Sequence, residues 1–270
     1  ICESAQNLVQ RQVLRSEGAA FRSDPPAAGK EFLASTDVWF RPVFLGEGPD
    51  GALYLADMYR REIDHPRYVP LESRALLDFE SGKDRGRIYR IVRATPTPSA
   101  DDATYRDRRD DLTKTVRALE SPDEWWRADA QRRLVERADR AAVPLVETIA
   151  AQATRAESRT RALWTLHGLH SLTTPTIAAA LNDPHPGVRE QALHFAGELI
   201  ARGQGAQLLP AAIAATRDGD ARVRFCAALA LAGSRDETVV PALAALVVRD
   251  GEDRWTRAAV LSGIAGRMDA

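Results

Sequence analysis

Two different spacings of apolar positions divide the chain near residue 100. Before it, apolar residues fall in short alternating runs with the period of a strand. Such runs are Asn7 to Arg15 (NLVQRQVLR), with Ser16-Glu17-Gly18 as its turn, Trp39 to Leu45 (WFRPVFL), Ala52 to Asp57 (ALYLAD) and Arg87 to Val92 (RIYRIV). Pro42 has no N–H for a ladder, which puts its strand at an edge or a bulge. Asp50-Gly51 between two apolar runs predicts a tight hairpin, because glycine accepts the positive φ of such a turn. Met58 to Arg85 is a long polar excursion.

After residue 100 the pattern becomes helical and repeats. Prolines open apolar runs at Pro144, Pro175, Pro210 and Pro241, at spacings of 31, 35 and 31 residues. A polar turn follows each run: Asp183-Pro-His-Pro-Gly-Val188-Arg189, then Asp218-Gly-Asp-Ala-Arg-Val223-Arg224, with looser copies at Ser121–Arg127, Arg155–Arg161 and Asp250–Arg257. Each unit reads as a short helix, a turn and a second helix. Proline fits the first helical turn, where its missing N–H has no partner to lose. Ser121 to Glu124 has the spacing of a capping box. A period near 30 residues predicts a solenoid in which each helical pair buries its neighbour's apolar face, with about five pairs here.

The fold class expected is therefore mixed: a β-strand segment, read as the last part of a β-propeller, followed by an all-α solenoid. Residues 1–93 form the first part and 94–110, rich in proline and small polar residues, a linker; residues 111–270 carry the repeats. Three or four strands with one long loop make a single blade, which is not a stable domain alone. The chain also opens on Ile1 in what reads as the middle of a fold, so it is expected to be a piece of a longer protein.

Composition narrows the function classes. Of 270 residues, 37 are Lys or Arg and 38 Asp or Glu, a net charge of −1. This gives no basic excess for nucleic acid, and no run approaches the length of a membrane span. Two cysteines, Cys2 and Cys226, exclude a disulfide framework, a zinc ribbon and a c-type haem motif within these residues. Nucleotide, zincin and hydrolase motifs do not occur. His167 and His170 lie three apart on one helix but lack a further ligand at metal spacing, so they read as a polar helix edge, and His185 and His194 as structural or solvated. Trp125-Trp126 reads as a seal on the first repeat. The densest polar cluster follows the Ala52–Asp57 strand: Asp57, Tyr59, Arg60 and His65, with Arg85 after a gap and Arg41 on the preceding strand. Arginines there suit a bidentate grip on an anionic cofactor or a carboxylate. The same charges would alternatively pair with one another and pin the loop.

The helical units resemble HEAT repeats of the short bacterial type, on the D-x-x-x-x-V-R turn. The resemblance implies structural roles: Asp183 and Asp218 capping second helices, Arg189 and Arg224 bridging repeats. The segments STDVWFRPVFLGEGPDGALYLADMYRREIDHP and GKDRGRIYRIV resemble the end of the propeller in the membrane-bound dehydrogenase family typical of planctomycetes, where a glucose/sorbosone dehydrogenase-like propeller precedes HEAT repeats and often a C-terminal cytochrome domain. The opening CESAQNLVQRQVL fits as well, with Gln10 where the family pattern has histidine. The resemblance implies a periplasmic or cell-surface protein that oxidises a sugar or polyol, with pyrroloquinoline quinone and calcium in the parent propeller and haem c in a further domain. No cofactor is demonstrable in this chain's own residues, and the isolated chain is expected to be inactive. The alternative is a non-catalytic propeller–solenoid module binding polysaccharide or protein. Either way the solenoid is expected to dock a protein partner.

Overall fold

The computed structural model describes residues 1–25, 29–94 and 111–264. The expected linker lies outside the described residues from position 95 onward, as do positions 265–270 of the repeat region. The chain divides into two compact units, one of residues 1–15 and 22–102, the other of residues 103–270 together with 16–21.

Residues 1–94 carry small antiparallel sheets. Strands β1 (Cys2–Glu3), β2 (Leu8–Val9) and β5 (Leu33–Ala34) form one; β3 (Val13–Glu17) and β4 (Ala20–Asp24) form a two-stranded ribbon; β6 (Pro42–Glu47), β7 (Leu53–Asp57) and β8 (Arg87–Ile91) form the third. The strand expected over residues 7–15 is thus two strands in two sheets. It breaks because Leu8 and Val9 pair with β1 and β5, while Val13 onward pairs with β4. The strand expected from Trp39 starts only at Pro42. Trp39 and Phe40 form a turn held by Asp37 and by Asn7, whose Nδ2 donates to the carbonyls of Val38 and Phe40. That turn drives Phe40 into a small core with Val9 and Leu55. The register of β6 on β7 slips between Pro42 and Phe44, the irregularity expected of a proline that cannot donate. Gly51 takes φ 70 in the β6–β7 hairpin, and Asp50 pins the hairpin by accepting from Ala52 N–H, the Tyr54 hydroxyl and Arg90 Nε. Across β6–β7–β8 the register sets Leu45, Leu55 and Tyr89 on one face and Phe44, Ala56 and Ile88 on the other.

The helical unit holds ten helices in five antiparallel pairs among the described residues: α1 (Leu112–Arg117) with α2 (Glu124–Glu136), α3 (Val143–Gln152) with α4 (Ala156–Gly168), α5 (Thr174–Ala180) with α6 (Pro186–Ala201), α7 (Leu209–Ala215) with α8 (Ala221–Ala232), and α9 (Val239–Asp250) with α10 (Arg254–Ile264). The second helices pack side by side as one layer, α2 on α4, α4 on α6, α6 on α8 and α8 on α10. One continuous apolar core runs through the stack from Val116 to Val260. Proline stands at the start of α3, α5, α6 and α7, as its fixed φ allows. Close approach of second helices needs small residues: a Cβ on Gly197 would lie 2.9 Å from the Ala230 Cα on α8.

The capping box expected at Ser121 is not formed. Asp123 caps α2 by accepting from Trp125 N–H, and Ser121 Oγ accepts from Asp123 N–H one step earlier. Glu124 turns outward instead, to Arg127 and Arg161. The helix starts only at Glu124, so Asp123 is the residue next to its first free N–H groups, and the Ser121 hydroxyl is left to the turn before it.

Candidate functional site

Asp57 and Arg41 in the polar cluster around β7 bond to main-chain groups. Asp57 ends β7 and is buried; its Oδ1 accepts from Arg41 N–H at 2.8 Å and Tyr59 N–H at 2.9 Å. Arg87 Nε stands 3.8 Å from Oδ2, which accepts no hydrogen bond. Arg41 donates from Nε to Arg60 O at 3.0 Å, from Nη1 to Ser4 O at 3.0 Å and from Nη2 to Arg61 O at 2.7 Å. Tyr59 holds φ 49, its ring 4.0 Å beneath the Arg87 guanidinium and 5.8 Å from the Trp39 ring. Gly82, at φ +84, closes over Tyr59, where a Cβ would come within 2.3 Å of the Tyr59 carbonyl oxygen. Arg60 Nη1 reaches the carbonyls of Met58 and Tyr59 at 3.4 Å.

Arg41, Asp57, Tyr59 and Arg60 are therefore together, with Arg87 as the guanidinium nearest Asp57. His65 is placed elsewhere: its Nδ1 accepts from Arg67 N–H and caps the short 3-10 turn Pro66–Tyr68, its ring edge-on to Tyr68. Arg85 bonds through its backbone N–H to Gly82 O. A quinone or sugar would need free donors, but the side-chain nitrogens of Arg41 already end on main-chain carbonyls and Asp57 is sealed from solvent. Arg41 and Asp57 therefore do not fit that group. Gln10 exchanges both main-chain hydrogen bonds with Ile1.

In the repeats, charge forms a ladder. Arg127, Arg159, Arg189, Arg224 and Arg257 each donate from Nη1 to the carbonyl six residues earlier, at 2.6, 2.7, 2.8, 2.9 and 2.6 Å. Three of them then grip a carboxylate in the next turn with both remaining edges: Arg159 on Asp183, Arg189 on Asp218 and Arg224 on Asp250. Two parallel N–H···O bonds fix distance and angle together, so each rung sets the spacing of adjacent pairs. Burial alone would raise the Asp183 carboxyl, but Arg159 and the His185 N–H hold it below its ordinary value; at Asp218, burial is likewise outweighed by Arg189 and the Asp220 N–H. The caps fall to other residues than the resemblance implies: His185 Nδ1 caps α6 at Gly187, and Asp220 caps α8. Asp183 and Asp218 shape the turns just ahead. Arg159 and Asp250 were not legible as ladder members, because Ala153 replaces the turn aspartate in one copy and Asp250 stands one place early in the other; the constant six-residue arginine–carbonyl interval is the signal that finds them.

The outer surface of the second-helix layer has an aromatic centre. Trp164 on α4 donates from Nε1 to Gln191 Oε1 at 3.0 Å and meets Phe195 edge-on at 4.7 Å, with His167 and His194 at 5.7 and 5.4 Å. Both imidazole Nε2 atoms face Glu198, at 3.5 Å from His167 and 3.3 Å from His194. His170 lies apart, ending α4 in a left-handed conformation. Two clefts open on either side of Trp164. One, of about 510 Å³, is lined by Glu124, Thr160, Arg161 and Gln191; the other, of about 350 Å³, by Gln131, Arg132, Val135 and His167. Farther along, burial pushes the Cys226 thiol up to about 11, so it stays protonated and unreactive at neutral pH. Among the described residues no group of three or more His, Cys, Asp or Glu is placed to hold a metal ion, and no helix is long and apolar enough to cross a membrane.

A stack of helical pairs, joined by arginine–aspartate rungs and presenting one layer of second helices, is the architecture of a helical-repeat scaffold. Residues 173–265 match the family model of HEAT repeats, and residues 1–95 match a domain of unknown function, DUF7133. No curated protein matches the chain. HEAT repeats point to a scaffold or interaction role.

Proposed function

We propose that the helical unit is a protein-docking scaffold and that its working surface is the second-helix layer around Trp164. The observation carrying this is the pair of clefts flanking one half-buried tryptophan, a rigid aromatic anchor with amide and charged side chains around it. Interfaces concentrate their energy on such anchors. A photo-crosslinking residue at position 160, which lines the larger cleft, is expected to trap one discrete partner in cells expressing the protein. Trp164→Ala should abolish that adduct while the helical circular dichroism persists. An adduct that survives Trp164→Ala would move the docking surface elsewhere.

The first unit is proposed as part of a β-propeller, in keeping with its resemblance. What supports this is the sheet β6–β7–β8, which is apolar on both faces. Leu45 and Leu55 pack inward, while Phe44 and Ile88, in register through Ala56, are 66% and 73% exposed. An antiparallel sheet at a surface normally has one polar face, whereas a propeller blade is covered on both. Binding of the apolar dye ANS is expected to fall in the double variant Phe44→Ser, Ile88→Ser; an unchanged signal would remove this support. Oxidation of a sugar or polyol through a quinone gains no support from Arg41 or Asp57, whose polar atoms serve the loop.

A further inference from the structure

A turn of the chain itself already sits at the N-terminal edge of the second-helix layer. Residues 16–21 belong to the helical unit, and Ala19 offers it both main-chain groups. The Ala19 carbonyl accepts from Arg222 Nη1 at 3.2 Å, and its N–H donates to Asp253 Oδ2 at 3.1 Å. Gly18, at φ 58, lets the turn come this close, since a Cβ there would collide with the Asp253 carboxylate. The Arg222 guanidinium lies 4.2 Å over the Phe21 ring. The seat is a donor and an acceptor side by side, Arg222 as the second residue of α8 and Asp253 just ahead of α10.

The same two positions recur between the other adjacent second helices. They hold Trp125 and Arg155 for α2–α4, Glu157 and His185 for α4–α6, and Gly187 and Asp220 for α6–α8. The first of these has no acceptor side chain and the last no donor. Glu157 and His185 supply one of each, in reversed order. His185 Nδ1 accepts from Gly187 N–H, which leaves the ring proton on Nε2 as a donor, and the side chain is exposed. The exposed Glu157 carboxylate meets its own N–H, and Arg155 only at 3.8 Å. Both line the cleft of about 510 Å³ beside Trp164, together with Glu124 and Arg161. Arg161 is already taken by Gln131 and Glu124, so Glu157 is the carboxylate of this lining left to face an incoming cation. We propose that this cleft seats a tight turn of a partner protein that carries an arginine, bound as Ala19 is bound on α8–α10 but with its main chain running the other way. The turn donates an N–H to Glu157 and accepts from His185 Nε2. Its guanidinium lies against Trp164, so the aromatic ring now belongs to the layer and the cation to the turn. The proposal rests on the docking role given above to the Trp164 surface.

The probe is a peptide of residues 13–24 with Phe21→Arg, closed into a ring through a cysteine added at each end. It is titrated into the full chain and followed at the amide resonances of residues 156–164. Saturable shifts are expected there by about 1 mM peptide. Affinity should fall about tenfold with Glu157→Gln, with His185→Asp, which keeps the cap of α6 and removes the donor, and with alanine at position 21 of the peptide. No saturable binding, or binding indifferent to Glu157→Gln and His185→Asp, would overturn the proposal. Binding that Arg222→Gln abolishes and Glu157→Gln does not would put the peptide on the seat of residues 16–21, and also refute it. A partner adduct at position 160 without peptide binding would refute the turn and leave the docking surface standing. Peptide binding as expected, with an adduct that survives Trp164→Ala, would do the reverse.

Discussion

Arg159→Ala is expected to destabilise the helical unit by about 3 kcal/mol, the low end for breaking a largely buried ion pair by removing one partner. The side chains of Arg159 and Asp183 are only 10% and 8% exposed. Alanine removes the bonds to Ala153 O and Thr154 O as well as both bonds to Asp183, and leaves a desolvated carboxylate without its cation. Arg159→Lys should recover part of the loss, since an ammonium supplies charge but not the planar fork. Urea unfolding followed by circular dichroism would measure both; a loss under 1 kcal/mol for alanine would mean the rung is solvated. The same rung sets a pH dependence. Asp183 and Asp218 titrate in the folded protein below their unfolded value of about 3.9. Their contribution is therefore fully present above about pH 4 and is lost as pH falls through the lower, folded values. Melting temperatures taken from pH 6 down to pH 2.5 should drop steeply at the acid end, and less steeply in Asp183→Asn.

Phe195→Ala is the second substitution with a large expected effect, about 3–5 kcal/mol for emptying a fully buried aromatic site. Phe195 lies in the core of α6 with the Trp164 ring 4.7 Å away, so the cavity opens directly behind the aromatic centre of the second-helix layer. Phe195→Leu should cost less than half as much, because most of the volume is refilled. Denaturant midpoints give the stability. Near-ultraviolet circular dichroism reports whether Trp164 keeps its fixed environment, and the partner adduct at position 160 should weaken with it. A stability loss without change at Trp164 would separate the core from the surface.

The two halves were legible to different depths. Proline spacing and the recurring polar turn with its looser copies predicted about five helical pairs, because in a solenoid each element's partner is its sequence neighbour. The rungs at Arg189 and Arg224 were readable for the same reason. Arg159 was not, since its own turn has Ala153 and its carboxylate is 24 residues ahead. In the strand half, alternation over residues 7–15 was real, yet a period of two says only which residues share a face. It does not say that Leu8 and Val13 will pair with different strands. Asp57 and Arg41 carried the chemistry of a binding site in their residue types, and their hydrogen-bond partners turned out to be main-chain groups at Ser4, Arg41, Tyr59, Arg60 and Arg61, which no spacing records.

By itself, then, the amino-acid sequence determined the division into a strand unit and a helical stack, the hairpin at Asp50-Gly51, the placement of prolines in first helical turns, and the absence of nucleotide and hydrolase motifs. Only the tertiary structure decided that Arg41 and Asp57 bond to main-chain groups and that Trp164 stands between two clefts lined by helices of different repeats. The physical reason is the range of the interactions. Propensity, capping and turn geometry act within a few residues, whereas burial and hydrogen-bond saturation depend on what the rest of the fold brings to each side chain.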